Sequence, residues 1–351
     1  MPKRSLAAVL LAAFVLVLGV VAAGCGGDDD SGSGDSGAAA TATPAKKIKV
    51  GLVTDIGGLN DRSFNQLANE GLTRAGSELG VDTRVLTSKS NADYVPNLST
   101  LAQQKYDLVI GVGFLMADAM DTVAQKFPDT NFAIIDNSQA TLKHKLTNVR
   151  GLLFAEQEPG YLAGYVAGLY TKDKGGDQVI SSVGGLKIPP VDHYIAGYQA
   201  GAKAANSGIK TLNGYSQDFV DQAKCKEIAL NQIAQGSQVV FQVAGQCGLG
   251  ALDAAKEKGV LGIGVDADQG YLGDHILTSA QKKVDVSVFD TAKAVQDGSF
   301  KGGEDQVFDL KNDGVALGKL NAEGQKYADQ IDKIKQDIVS GKISDIPTEV
   351  K

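Results

Sequence analysis

An aspartate ends the apolar run Lys49–Val53, and a glycine pair, a phenylalanine and an asparagine follow it: Val53-Thr54-Asp55-Ile56-Gly57-Gly58-Leu59-Asn60-Asp61-Arg62-Ser63-Phe64-Asn65-Gln66. A carboxylate, a flat ring and a carboxamide grouped this closely suit a small polar molecule with a flat face, such as a sugar or a nucleoside. The plainer reading makes Asp61 or Ser63 a helix cap and Phe64 a core residue. Two further apolar runs also end in an aspartate, at Asp136 and Asp266. One such residue is commonly a turn former. Three carboxylates facing one cleft would repel each other and need a donor-rich guest.

Other chemistries find little support. The three histidines, His144, His193 and His275, have neither metal-ligand spacing nor a nucleophile motif around them, and surface or loop positions are expected for all three. Gly111-Val112-Gly113, Gly262-Ile263-Gly264 and the loop Gly245–Gly250 lack the order and spacing of a phosphate-binding fingerprint, and no Walker lysine follows them. No enzyme activity, cofactor or metal is expected.

Short apolar runs alternate with amphipathic ones from Lys47 onward. Strands are expected at Lys49–Thr54, Thr83–Leu86, Leu108–Val112, Phe132–Ile135 and Val149–Phe154. A second series is expected at Val179–Val183, Ile209–Tyr215, Val239–Val243, Val260–Val265 and Ile276–Thr278. Stripes through Phe64, Leu67, Leu72, Ala75 and Leu79, and through Val95, Leu98 and Leu101, mark helices; others are expected near 193–206, 220–235 and 249–258. This alternation predicts α/β architecture, two doubly wound parallel-sheet lobes side by side. A body of about 300 residues is large for one core. In such sheets the carboxyl ends of the strands face the ligand crevice. Those ends carry Asp55, Gly113-Phe114, Asp136-Asn137, Gly184-Gly185, the Phe219 loop, Ala244-Gly245-Gln246 and Asp266.

The first 24 residues read as a signal peptide: Lys3 and Arg4, an apolar run from Leu6 to Val21, then Ala22-Ala23-Gly24 before Cys25. This ending resembles a bacterial lipobox and implies lipidation of Cys25 at the extracytoplasmic face of the cell membrane; an uncleaved anchor is the alternative. Residues 25–46 are acidic and rich in Gly, Ser, Ala and Thr, and read as a disordered tether. Cys225 and Cys247 then remain as an even pair in a compartment that permits a disulfide, with two free cysteines as the alternative. A net charge of −7 without a basic cluster argues against a nucleic-acid partner.

Asp55 through Gln66, Gly113 through Asp118, Phe132 through Asp136 and Phe154 through Gly164 together resemble the basic membrane protein family. That family includes the nucleoside-binding lipoproteins of ABC transporters. Val183–Pro190, Gly262–Gln269 and Thr278–Val286 extend the resemblance. It implies a type I periplasmic-binding-protein fold with hinge crossovers, the first lobe comprising 47–165 and 280–320, the second 166–279, and a helix and tail at 321–351. It also implies ligand contacts from Asp55, Phe64, Asn65, Asp136 and Gly245, with Phe219 as a second stacking ring and Asp266 with Lys282 on ribose hydroxyls. Phe241 is the alternative ring and Lys283 the alternative cation. Residues 245–248 read Gly-Gln-Cys-Gly where the family more often has Gly-Gly-Thr-Gly. The function implied is a monomeric, lipid-anchored nucleoside receptor, purine in preference, serving ABC permease subunits. A sugar or signal-molecule receptor of the same fold, or an adhesive surface lipoprotein, is the alternative.

Overall fold

The structure is a computed structural model that describes residues 47–350; the signal segment, Cys25 and the tether lie outside the described residues. Two six-stranded sheets organise the chain. The first takes β1 (Lys49–Val53), β2 (Asp82–Leu86), β3 (Leu108–Gly111), β4 (Asn131–Ile135), β5 (Val149–Phe154) and β11 (Asp305–Phe308), in the order β11-β5-β4-β3-β1-β2. The second takes β6 (Val179–Gly184), β7 (Lys210–Tyr215), β8 (Ser237–Val243), β9 (Leu261–Asp266), β10 (Ile276–Lys282) and β12 (Val315–Leu317), in the order β12-β10-β9-β8-β6-β7. The β10–β12 pair is antiparallel, and the other pairs run parallel. Each order reverses beside the first strand of its series, at β1/β3 and at β6/β8. Those are the switch points where doubly wound sheets open a crevice.

Helices cover both faces of each sheet. In the first lobe, α1 (Phe64–Leu79) packs with α8 (Val284–Gln296), so closely that a Cβ on Gly71 would run into the Asp285 carbonyl. On the opposite face Leu98 and Leu101 of α2 (Tyr94–Gln103) and Met120 of α3 (Ala117–Ala124) are fully buried. In the second lobe, α4 (Gln157–Lys174) runs parallel to α5 (Pro189–Ala205). Gly160, Gly164 and Gly168 face the carbonyls of Tyr194, Tyr198 and Ala202, and Gly197 and Gly201 face those of Gln157 and Tyr161. The helices α6 (Gln222–Ala234) and α7 (Gly245–Lys258) pack together on the other side. The last helices, α9 (Ala322–Gln325) and α10 (Ala328–Val339), set the Tyr327, Ile331 and Ile338 stripe against α4, where the Tyr327 hydroxyl donates to Asp173 at 2.7 Å.

Several elements differ from the expected pattern. The helix α4 has no single apolar stripe, because the protein surrounds it on almost every side, and periodicity cannot mark such a helix. Pro189 opens α5 four residues before the expected start; proline at a first helical position gives up no hydrogen bond there. Gly245 opens α7, likewise earlier than expected, and β10 runs past Thr278 to Lys282. The segment 280–320 does not lie whole in the first lobe. Ala280–Lys282 and Val315–Leu317 pair in the second sheet, while α8 and Asp305–Phe308 lie with the first. The described chain therefore crosses between sheets after β5, after β10 and after β11.

Candidate functional site

The strand ends of the two sheets face each other across a cavity enclosing about 640 Å³ of space not filled by atoms, its solvent-open part included. The structure brings Asp55, Phe64, Asn65, Asp136, Phe219, Gly245, Asp266 and Lys282 together on its walls, with Phe114 and Tyr194 among the other lining residues. Phe64 comes from the first lobe, and Phe219 from the β7–α6 loop of the second.

The turn after β1 is held from within. Asp61 accepts the backbone N–H groups of Ser63, Asn65 and Gln66 at 2.8–3.1 Å, and so caps α1. Asn65 accepts from the Asp55 N–H at 2.8 Å and donates to the Ile56 carbonyl at 3.3 Å. Its amide fixes the strand-end turn, which places Asp55. The Asp55 carboxylate takes the Tyr94 hydroxyl and the Ile56 N–H on Oδ1. Oδ2 sits beside Gly113, where a Cβ would stand 2.5 Å away; only glycine fits there, at φ 111°. Burial pushes Asp55 up to about 6 against the opposing pull of the Tyr94 hydroxyl. Burial likewise raises Asp61.

Lys282, the last residue of β10, crosses from the second sheet to acids of the first. Its ammonium stands 2.9 and 2.8 Å from the two oxygens of Asp136 and 3.1 Å from Glu156 Oε1. It also lies 5.0 Å from the Phe64 ring centre, 5.2 Å from Phe154 and 5.7 Å from Tyr194, within the range of cation–π attraction. Burial alone would lower Lys282, yet Asp136, Glu156 and Asp266 together hold it above its ordinary value. Burial pushes Asp136 up to about 7 in spite of the lysine. Glu156 would also rise on burial, but Lys282 and the imidazole of His193, 3.1 Å away, hold it low.

Asp266 closes β9 and accepts from the Ser63 hydroxyl of the first lobe at 2.7 Å and from the Tyr194 hydroxyl at 3.3 Å. Burial raises it, opposed by Lys282 and Ser63. Asp136 and Asp266 both hold left-handed backbone, with φ 66° and 58°. That conformation suits aspartate better than most side chains, and it turns both carboxylates off their strands into the crevice.

Some placements depart from the reading of the sequence. Lys282 pairs directly with Asp136 and Glu156, while Asp266 is bonded to Ser63 and Tyr194. Phe241, the alternative ring, is fully buried against Tyr194 and Tyr198. The Lys283 ammonium turns to Gln281 at 3.4 Å. His193 is no free surface residue, since it rests on Glu156 beside the lysine. Sequence reasoning missed Glu156, Tyr94 and Tyr194. Glu156 stands inside the stretch Phe154–Gly164 that carried the resemblance and could have been found there. The two tyrosines sit in helices, where nothing local separates a site residue from core.

With three carboxylates around one ammonium, the deep end offers more acceptors than donors. A guest with hydroxyl or N–H groups would complete it, and the rings offer flat apolar faces. Among the described residues no group of His, Cys, Asp and Glu is arranged to hold a metal ion.

Comparison with known proteins agrees with this architecture. The family model described as ABC transporter substrate-binding protein, PnrA-like, matches residues 48–348. The chain is 38% identical to a protein of Lactococcus lactis named ABC transporter nucleoside-binding protein BmpA, over 98% of this chain and 99% of that one. It is 37% identical to a protein of Pyrococcus abyssi described as an uncharacterized lipoprotein, over 91% of this chain and 79% of that one. Among solved structures, an ABC transporter solute-binding protein from Aeropyrum pernix superposes with a TM-score of 0.77 at 29% identity, covering 86% of this chain and 94% of that one.

Proposed function

The chain belongs to the PnrA-like family of ABC transporter substrate-binding proteins, whose role is binding rather than catalysis, and from that premise we propose that it captures nucleosides, purine nucleosides in preference. The observation that carries this reading is the pairing of one aromatic ring from each lobe, Phe64 and Phe219, with the polar cluster of Asp136, Asp266 and Lys282 in one cavity. A base suits the rings, and a ribose suits the acids. Each aromatic stack adds about 0.5–1.5 kcal/mol beyond area burial, and each hydrogen bond to a charged group about 1.5–3 kcal/mol. Ordering and lobe closure consume part of this sum, which leaves binding tight enough to capture and loose enough to release. Its named nucleoside-binding relative supports the same choice.

The guest bridges the lobes, and the closed form is what the permease subunits would receive. The protein is held at the extracytoplasmic face by a lipid on Cys25. The apolar run before Ala22-Ala23-Gly24-Cys25 supports this, as do relatives described as lipoproteins. Calorimetric titration with inosine, guanosine, adenosine, cytidine, D-ribose and D-glucose tests the ligand. Micromolar or tighter binding of the purine nucleosides alone is expected; binding of a free monosaccharide with no response to nucleosides would overturn the reading. Replacing Cys25 with serine should move the protein from the membrane to the soluble fraction.

A further inference from the structure

We propose that the Cys225–Cys247 disulfide is a positioning device for the Phe219 ring, holding the ring's loop against the cavity-lining turn at the start of α7. The proposal deepens the ligand-site reading and rests on it. The disulfide joins the first turn of α6 to the first turn of α7, with Cα atoms 5.6 Å apart and both side chains fully buried. Gly245 and Gln246, which line the cavity, immediately precede Cys247. The Cys247 N–H donates to the Phe219 carbonyl at 3.0 Å, so the bridge and the ring meet at one peptide.

The rest of the loop is tied to the end of β6, where the N–H groups of Ser216 and Gln217 donate to the Gly184 and Gly185 carbonyls at 2.9 and 3.0 Å, and to α6. Asp218 accepts from the N–H groups of Val220 and Asp221 at 2.8 and 3.0 Å and from the Lys224 ammonium at 2.7 Å. Asp221 caps α6 through the Ala223 N–H at 3.0 Å. The loop and α6 therefore form one piece, and the disulfide is the covalent tie between that piece and α7. The ring of Phe219 lies over Gly185, where any Cβ would collide with it. Its seat consists of a bare glycine on one side and the α7 turn on the other. Fixing that seat before the guest arrives removes an ordering cost from binding.

The test is inosine affinity of the full chain carrying Cys225→Ala with Cys247→Ala, measured by calorimetry well below its unfolding temperature. Kd should rise about three- to tenfold, the equivalent of immobilising one side chain on binding. In a Phe219→Ala background the same double change should move Kd by less than about twofold, because the tie then has nothing to position. In a Phe64→Ala background the full loss should return. A folded variant with unchanged Kd, or an equal loss with and without Phe219, overturns the proposal and leaves the bridge a structural staple that lowers only the unfolding temperature. Should the double variant fail to fold, the wild-type chain reduced with dithiothreitol, its two thiols counted, is read by the same criteria. Absence of inosine binding by the oxidised wild type would defeat the ligand reading instead, and is a separate result.

Discussion

Replacing Lys282 with methionine tests the electrostatic centre of the site. The change keeps the length of the stem and removes one charge. At 2.8 Å and an effective dielectric constant near 20, the pair with Asp136 has a gross attraction of about 6 kcal/mol. Much of this is cancelled by the cost of desolvating the ammonium. What remains after deletion is a set of carboxylates, Asp136, Glu156 and Asp266, buried without their cation. Breaking one side of a buried pair costs about 3–5 kcal/mol, and that is the expected loss of unfolding free energy at pH 7.5. The stranded acids will take up protons: Asp136 and Asp266, already raised by burial beside the lysine, rise further, and Glu156, held low by it, rises on burial. The folded form then binds more protons than the unfolded form, and its stability increases as the pH falls. At pH 5.5 the gap to wild type should have narrowed by about 1–2 kcal/mol. Urea unfolding followed by far-ultraviolet circular dichroism measures this without ligand; the chain has no tryptophan to follow instead. A loss below about 1 kcal/mol, or a gap that is the same at both pH values, would refute the account of Lys282 as the counter-ion of buried acids.

Other outcomes follow from the same geometry. Asp55, raised to about 6, stabilises the ligand-free fold fully below its unfolded value of 3.8, and that contribution is lost as the pH rises through 6. Nucleoside affinity should move the opposite way, weakening about tenfold from pH 7.5 to pH 5 as the acceptor is protonated; a flat calorimetric pH profile would count against Asp55 as a contact. Asp266→Ala should raise the nucleoside Kd at least about tenfold, one charged hydrogen bond's worth, and unchanged calorimetric affinity would remove it from the ribose end. Gly185→Ala forces the Phe219 ring off its seat, so affinity should fall about tenfold while the unfolding temperature of the free protein moves little; a fall in stability alone would show that the ring matters to the core instead. Asn65→Ala frees the Asp55–Ile56 turn and should cost about 1–2 kcal/mol of stability along with affinity, read by urea unfolding and titration together.

The architecture was legible because its signals are local. Apolar runs of strand length, alternating with helical stripes, are set by which faces must be buried. The ends of those runs identify the crevice for any parallel sheet. Asp55, Phe64, Asp136 and Asp266 could be named from their positions at such ends or at the helix that follows. The helix α4 was not legible, since a helix enclosed on almost every side has too little polar face to reveal its period. The edge strands β11 and β12 were not legible either, because a strand of three or four half-covered residues has too little pattern to detect.

What remained for the tertiary structure was pairing across the lobes. Nothing in the sequence around Lys282 says that its ammonium will rest on Asp136 and Glu156, more than a hundred residues away, or that Ser63 will reach Asp266. Charge interactions depend on distance and burial in three dimensions, and the chain crosses between its two sheets before either is known. The amino-acid sequence by itself determined the strand ends, the rings and the acids available to a guest. Only the folded chain decided which acids are matched by the lysine and which are held by tyrosine and serine hydroxyls.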